Sequence, residues 1–198
     1  MSKKARPVIG ILALQGDFEA HKRAVEGAGG DPVEVRTKSD LDHIDGLIIP
    51  GGESTTMLKM LAEEDLFEPL RQFGRVKPIF GTCAGAILLA KEVLNPPQNS
   101  LQLMDLVVER NAYGRQIDSR IAHLEFGGEP LEAVFIRAPV IRKAGGDSHV
   151  LVSYNGDPVL VEQGRHMAST FHPELAGGAA IHRLFVEKVS SSGKRKIA

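Results

Sequence analysis

Cysteine occurs once in this chain, at Cys83, tryptophan not at all and tyrosine only twice. A single thiol excludes an internal disulfide and suits a reducing compartment. An excess of one charge is missing too: 24 Lys and Arg stand against 25 Asp and Glu, a formal net charge of −1. That balance argues against a general binder of nucleic acid or of anionic membranes. No apolar run approaches the roughly 20 residues of a membrane span. Ser2-Lys3-Lys4-Ala5-Arg6 followed by apolar Val8 to Leu14 imitates the start of a signal peptide. The apolar run stops at Gln15-Gly16-Asp17 without a small-x-small cleavage site, so a buried first strand explains it better and a cytoplasmic protein is expected. The seven histidines include no H-E-x-x-H and no paired Cys/His spacing, so no metal site is expected. Neither G-x-x-x-x-G-K-[ST] nor G-x-G-x-x-G occurs, which removes the usual nucleotide loops.

What is present is an ordinary globular composition, 42% hydrophobic and 25% charged over 198 residues. This size suits one domain over 1–198, with a core from about 8 to 189 and a frayed basic tail over 190–198. Strand and helix patterns alternate at first. Val8 to Leu14 reads as a central strand, and Phe18 to Ala28 as a helix with Phe18, Ala24, Val25 and Ala28 on one side, stopped by Gly29-Gly30. Short strands follow at Val33 to Arg36 and Leu47 to Ile49. Ser54 is the expected N-cap of a helix through Met57, Leu58 and Leu61, and Asp65 the opening of another carrying Leu70 and Phe73. After Asn95-Pro96-Pro97 the texture turns to strands: Leu106 to Glu109, Ile121 to Phe126, Val134 to Ile136, Val150 to Val152, Val159 to Val161 and Met167 to Phe171. Asn155-Gly156 marks a hairpin, and a last helix is expected from about Ala179 to Val189. The fold class is therefore α/β, a mostly parallel mixed sheet with an antiparallel extension. Such sheets bind ligands beyond the C-terminal ends of their strands.

Two of those ends carry chemistry. Ile79-Phe80 runs into Gly81-Thr82-Cys83-Ala84-Gly85 and then an Ala/Leu-rich helix, the G-x-nucleophile-x-G elbow with sulfur in place of oxygen. Both glycines allow a sharp turn, and a helix N-terminus favours a thiolate at Cys83. The plain alternative is a small buried thiol. A nucleophile needs a base and the base an orienting group, and His172-Pro173-Glu174 supplies both: residues two apart in extended chain point to the same side. Together with the elbow, this favours catalysis over a surface turn. Gly51-Gly52 is a turn, an anion cradle or an oxyanion hole. Arg110 and Arg137 each follow a strand and either hold a carboxylate or stand as edge charges.

The elbow and His172-Pro173-Glu174 together resemble the class I (triad) glutamine amidotransferases. Leu14-Gln15-Gly16-Asp17-Phe18, Pro50-Gly51-Gly52-Glu53-Ser54-Thr55-Thr56, Val108-Glu109-Arg110-Asn111, Tyr113-Gly114-Arg115-Gln116 and Phe135-Ile136-Arg137-Ala138-Pro139 narrow the resemblance. With them the chain resembles, from about Val8 to Val189, the glutaminase subunits of pyridoxal 5′-phosphate synthase (the PdxT family). The resemblance implies a three-layer α/β/α fold of the flavodoxin-like kind. It implies Cys83 as nucleophile, His172 as proton carrier and Glu174 as orienter, with the amides of Gly52 and Ala84 as oxyanion hole. It assigns glutamine binding to Gly52, Glu53, Ser54, Arg110, Ile136 and Arg137. The ammonia would pass to a synthase subunit (the PdxS family) in a large ring-like hetero-oligomer. That partner would build pyridoxal 5′-phosphate from ribose 5-phosphate (or ribulose 5-phosphate) and glyceraldehyde 3-phosphate, and this chain would hold no cofactor itself. The rivals are the glutaminase of another ammonia-using synthase, such as imidazole glycerol phosphate synthase, and a non-catalytic thiol sensor with the same elbow.

Overall fold

The computed structural model describes residues 6–112, 119–176 and 179–192. Tyr113-Gly114-Arg115-Gln116 and the end of the basic tail, 193–198, lie outside them. The elements run in the order β1 (Val8–Leu12), α1 (Phe18–Gly27), β2 (Asp31–Val35), β3 (Gly46–Ile49), α2 (Ser54–Glu63), α3 (Phe67–Val76), β4 (Ile79–Thr82) and α4 (Ala84–Leu89). They continue with β5 (Ala90–Leu94), β6 (Met104–Glu109), β7 (Ser119–Phe126), β8 (Glu129–Ile136), β9 (Val140–Ala144), β10 (His149–Tyr154), β11 (Asp157–Gln163), β12 (His166–Ser169) and α5 (Ala180–Ser192). Short 3-10 turns fill Lys38–His43 and Pro173–Leu175.

A seven-stranded sheet in the order β10-β11-β12-β4-β3-β1-β2 forms the middle layer. Strands β12, β4, β3, β1 and β2 are parallel, and β10 and β11 extend the sheet antiparallel. Central strands buried on both faces must feed two cores, and the side chains divide by the period of two. Leu47 and Ile49 face one core and Ile48 the other. Likewise Ile79 and Ala168 turn one way, Phe80 and Met167 the opposite way. The first core is closed by Met57 and Leu61 of α2, Leu70 and Phe73 of α3, and α4. The second is closed by Val25 of α1, by Ile181, Phe185 and Val189 of α5, and by the β7–β8 hairpin through Ala133 and Phe135. Helices on both faces of a mixed, mostly parallel sheet make the expected three-layer α/β/α arrangement.

Several details depart from the sequence reading. The strand at Leu106 to Glu109 is not in the main sheet; as β6 it pairs with β5 and β9 in a small separate one. Ile121 to Phe126 and Val134 to Ile136 likewise form their own hairpin, which covers the second core instead of lengthening the sheet. Its turn is Gly127-Gly128, both at positive φ (63° and 83°), the geometry of a tight hairpin. Asn155 and Gly156 do turn β10 into β11, at φ 51° and 86°. The cap of α2 is Glu53, not Ser54: its carboxylate accepts from the amides of Thr55 and Thr56, while the Ser54 hydroxyl donates to Gln98. Asp65 does not open α3; it sits in the left-handed region (φ 51°) and the helix begins at Phe67. Ser190 to Ser192 belong to α5, not to the tail, with Ser190, Ser191 and Ser192 hydroxyls folded back on carbonyls of Val186 and Lys188.

At the turn from β4 into α4 the backbone packs too closely for side chains at its two glycines. A Cβ on Gly85 would stand 2.1 Å from the carbonyl oxygen of Ile49, and one on Gly81 would stand 2.4 Å from the backbone of Gly85. Neither obstacle is a side chain that can swing away. Gly85→Ala should therefore cost at least the ~1–3 kcal/mol of an overpacked core. Gly27→Ala, in α1 with nothing within 4 Å of the new carbon, should be neutral or stabilise by up to about 1 kcal/mol. Urea unfolding of the two variants against the parent reads both signs.

Candidate active site

The close turn forces Cys83 to φ 50° and ψ −105°, a sparsely populated region for a residue with a side chain. The amide of Cys83 donates to the carbonyl of Ser169 at the end of β12, which fixes the elbow to the neighbouring strand (2.8 Å). Two residues beyond Phe171's predecessor, the chain reaches His172, whose own amide donates to Val134 of β8 at 2.8 Å. The parallel pairing of β12 with β4 thus delivers the imidazole to the sulfur across 89 residues of sequence. Gly51, at the end of β3, completes the approach: a Cβ there would meet His172 Cε1 at 2.4 Å and Cys83 Cβ at 3.3 Å.

His172 Nδ1 lies 2.7 Å from Glu174 Oε1, and the other side of the ring faces Cys83 across Gly51. Burial works against a charge on the ring. The hydrogen bonds and charges of Cys83 and Glu174 outweigh it and lift the imidazolium to about 10. Burial pushes the Glu174 carboxyl up, but the hydrogen bond with His172 and the His21 ring close by hold it well below the ordinary carboxylate range. The state these contacts favour has a charged imidazolium held against the ionised Glu174 carboxylate. The Cys83 thiol side also touches the Ile136 carbonyl oxygen, at 3.9 Å.

A cleft of about 400 Å³ opens beside the sulfur. Gly52, Glu53, Ser54, Arg110, Ile136 and Arg137, all expected at a ligand site, line it together with Cys83 and His172. The Arg110 side chain is only 10% exposed; its Nη2 donates to Glu53 at 3.3 Å, and its Nη1 is buried without a hydrogen-bond partner. A buried guanidinium nitrogen with nothing to bond is costly, and an oxygen arriving from the cleft would satisfy it. Burial pushes the Glu53 carboxyl up, but donors on Thr55 and Thr56 more than offset this and bring it to about 2. Ser54 is buried with its hydroxyl on Gln98, so the cleft meets its backbone more than its side chain. Arg137 is exposed at the end of β8 with φ 44°. Gly52 has φ 140°, and Gln15 packs over it: a Cβ on Gly52 would come within 3.1 Å of Gln15 Cδ, while Gln15 Nε2 donates to the Glu53 carbonyl. Ala84 begins α4, where first-turn amides have no partner within the helix.

Sequence reasoning missed the side chains behind the carboxylate. His21 and His182, two of the scattered histidines, are fully buried there. On α1, Val25 is buried and Phe18 and Ala28 pack against the second core as expected, while Ala20 and His21 are buried in addition. Asn111, Pro139 and Leu175 also line the cleft. Among the described residues no group of three or more His, Cys, Asp or Glu is arranged to hold a metal ion.

Residues 11–191 match the model of the SNO glutamine amidotransferase family. The chain belongs to that family. It is 58% identical over 190 residues to the pyridoxal 5′-phosphate synthase subunit PdxT of Solibacter usitatus, covering 91% of this chain and 98% of the relative. The PdxT subunit of Koribacter versatilis is 52% identical over 192 residues, covering 94% and 99%. Among solved structures, a glutamine amidotransferase superposes with a TM-score of 0.86 at 45% identity, over 92% of this chain and 98% of that one. A putative GMP synthase subunit from Thermoplasma acidophilum shares the fold alone, with a TM-score of 0.69 at 19% identity over 99% and 100%. The chain is thus a glutamine amidotransferase with the class I fold.

The charge balance at His172 sets the pH behaviour of this amidotransferase. Because the folded-state value is raised from 6.5, the imidazolium persists through neutral pH and is lost as pH rises toward about 10. The rate of glutamine hydrolysis (kcat/KM) should fall on the alkaline side in that range. Glu174→Gln removes a negative neighbour, and the alkaline limb should move down by about one to three pH units. A pH–rate profile of the two proteins, each with its synthase partner, measures this.

Proposed function

We propose that this amidotransferase hydrolyses L-glutamine through Cys83, His172 and Glu174 and delivers the ammonia to a synthase subunit that makes pyridoxal 5′-phosphate. The observation that carries the reading is the meeting of sulfur, imidazole and carboxylate at the rim of a cleft that also holds an unpartnered guanidinium nitrogen. The Cys83 thiolate attacks the side-chain amide carbon, and the amides of Gly52 and Ala84 receive the developing oxyanion. His172 Nε2 gives its proton to the departing amine, releasing ammonia and leaving a γ-glutamyl thioester. The now neutral imidazole takes a proton from water as the water attacks that thioester, and glutamate leaves. Glu174 keeps the Nδ1 proton in place throughout, so a single tautomer faces the sulfur.

Arg110 receives the α-carboxylate of glutamine on Nη1. The Glu53 carboxylate offers a negative partner for the α-ammonium group, and Gly52, Ser54, Ile136 and Arg137 complete the site. The whole chain, 1–198, acts as one glutaminase domain in the cytoplasm. The partner is of the PdxS family and the working form is a large hetero-oligomer. The names of the relatives favour this route over the glutaminase of imidazole glycerol phosphate synthase, and a thiol sensor would leave Glu174 without a role. No cofactor or metal enters this half-reaction.

Cys83→Ala should abolish pyridoxal phosphate formation from glutamine while ammonium salts still support it in the same complex. Continued synthesis from glutamine would remove Cys83 as nucleophile. Arg110→Ala should raise the KM for glutamine about 10- to 100-fold, the loss expected for a hydrogen bond to a charged group, about 1.5–3 kcal/mol. An unchanged KM in the steady-state glutaminase assay would reassign the carboxylate.

A further inference from the structure

Behind Glu174 the buried polar chain continues. His21 Nε2 stands 3.3 Å from Glu174 Oε2 and 3.2 Å from Thr82 Oγ1, and His21 Nδ1 stands 2.9 Å from His182 Nε2. His21, Thr82 and His182 are all fully buried, and the Glu174 side chain is too. Among the described residues Glu174 Oε2 makes no hydrogen bond at that separation, and His182 Nδ1 has no hydrogen-bond partner. The chain links α1 (His21), β4 (Thr82), the turn after β12 (Glu174) and α5 (His182). It ends against Phe80, whose ring meets that of His182 edge-on at 6.1 Å.

Hydrogen-bond accounting fixes the protons. His182 is neutral, held down to about 3 chiefly by burial. It therefore has one N–H, which sits either on Nε2, facing His21, or on Nδ1, facing nothing. A buried N–H without an acceptor costs more than an unused lone pair, so the proton is on Nε2 and is donated to His21 Nδ1. That makes His21 Nδ1 an acceptor and puts the proton of its ring on Nε2. There it is donated to Thr82 Oγ1, with the second oxygen of Glu174 3.3 Å from the same nitrogen. Oε1 is engaged by His172, so a donor on Oε2 decides the rotation of the carboxylate about its last torsion.

We propose that His21, its tautomer set by His182, is a positioning residue of the triad: its Nε2–H engages Glu174 Oε2 and keeps Oε1 on His172 Nδ1. This rests on the triad assigned above. It adds a pair of histidines, from α1 and α5, to a machinery otherwise built from strand ends. Neither ring touches the cleft, so their loss acts on turnover and not on glutamine binding.

The test measures kcat and KM for glutamine with the full-length chain in complex with its synthase partner. His21→Ala should lower kcat roughly 10- to 100-fold, the range for removing an outer group that orients a reacting one, with KM unchanged. His21→Gln, whose side-chain amide can place an N–H near the same spot, should recover most of the loss. A wild-type kcat in His21→Ala, or a His21→Gln no better than His21→Ala, would overturn the proposal. Nitrogen-15 NMR of the histidine rings in the unmutated protein gives an independent reading: a protonated His21 Nε2 supports it and a bare Nε2 overturns it. Cys83→Ala separates the two readings. If it still hydrolyses glutamine, the triad itself has failed; if it is inactive while His21→Ala is fully active, only the role of His21 has.

Discussion

Two absent Cβ atoms decide where the sulfur goes. Gly85 lets the start of α4 press against the carbonyl of Ile49, and Gly81 lets β4 pass under the same turn. With both contacts made, the backbone between them has one way to turn, and Cys83 takes the strained φ of 50° that lifts its side chain to the rim of the sheet. Everything catalytic refers to that point. The Cys83 amide reaches Ser169, the chain after Ser169 leads to His172, and Gly51 gives up its own side chain so that imidazole and sulfur can meet.

The electrostatics follow from the packing. An imidazolium buried on its own would lose its proton, as His166 shows: burial, with help from Arg165, brings it down to about 4. His172 goes the opposite way although it too is largely buried, because sulfur and carboxylate flank it. Two histidines six residues apart, one in β12 and one just beyond it, therefore have proton affinities that lie far apart, and their neighbours distinguish them. The same contrast separates the carboxylates. Glu53 is half exposed and is kept ionised by hydroxyl and amide donors of the first turn of α2; Glu174 is enclosed and is kept ionised by histidines.

Much of this was legible in the sequence, and the limits have physical causes. The strand cores at Leu47 to Ile49 and Ile79-Phe80 read correctly because burial on both faces leaves continuous apolar runs. The strand–turn–helix at Cys83 was legible in its glycine spacing. Imidazole and carboxylate of His172-Pro173-Glu174 do meet, although through a 3-10 turn and not the extended chain expected. Strand β5 went unread because α4 is only six residues long and Ala90 to Leu94 follows it with no turn residue between. Ser54 was the better N-cap by residue type, yet Gln98, 44 residues away, took its hydroxyl and left the cap to Glu53. Tertiary partners of that kind leave no local mark. His21 and His182 are the extreme case: 161 residues separate two rings that touch, and each alone reads as an isolated histidine on a helix.

Strand β8 binds two parts of the machinery into one body. Val134 accepts the backbone of His172, and Ile136, two residues on, offers its carbonyl to the thiol and its flank to the cleft. The hairpin that carries them belongs to neither of the other sheets and is anchored through side chains such as Phe135, stacked on Tyr154 and tilted against Phe171. A rigid shift of that hairpin would carry His172 and the floor of the cleft in the same direction by the same amount. Their mutual spacing would survive, and the quantity altered would be their joint distance from the sulfur.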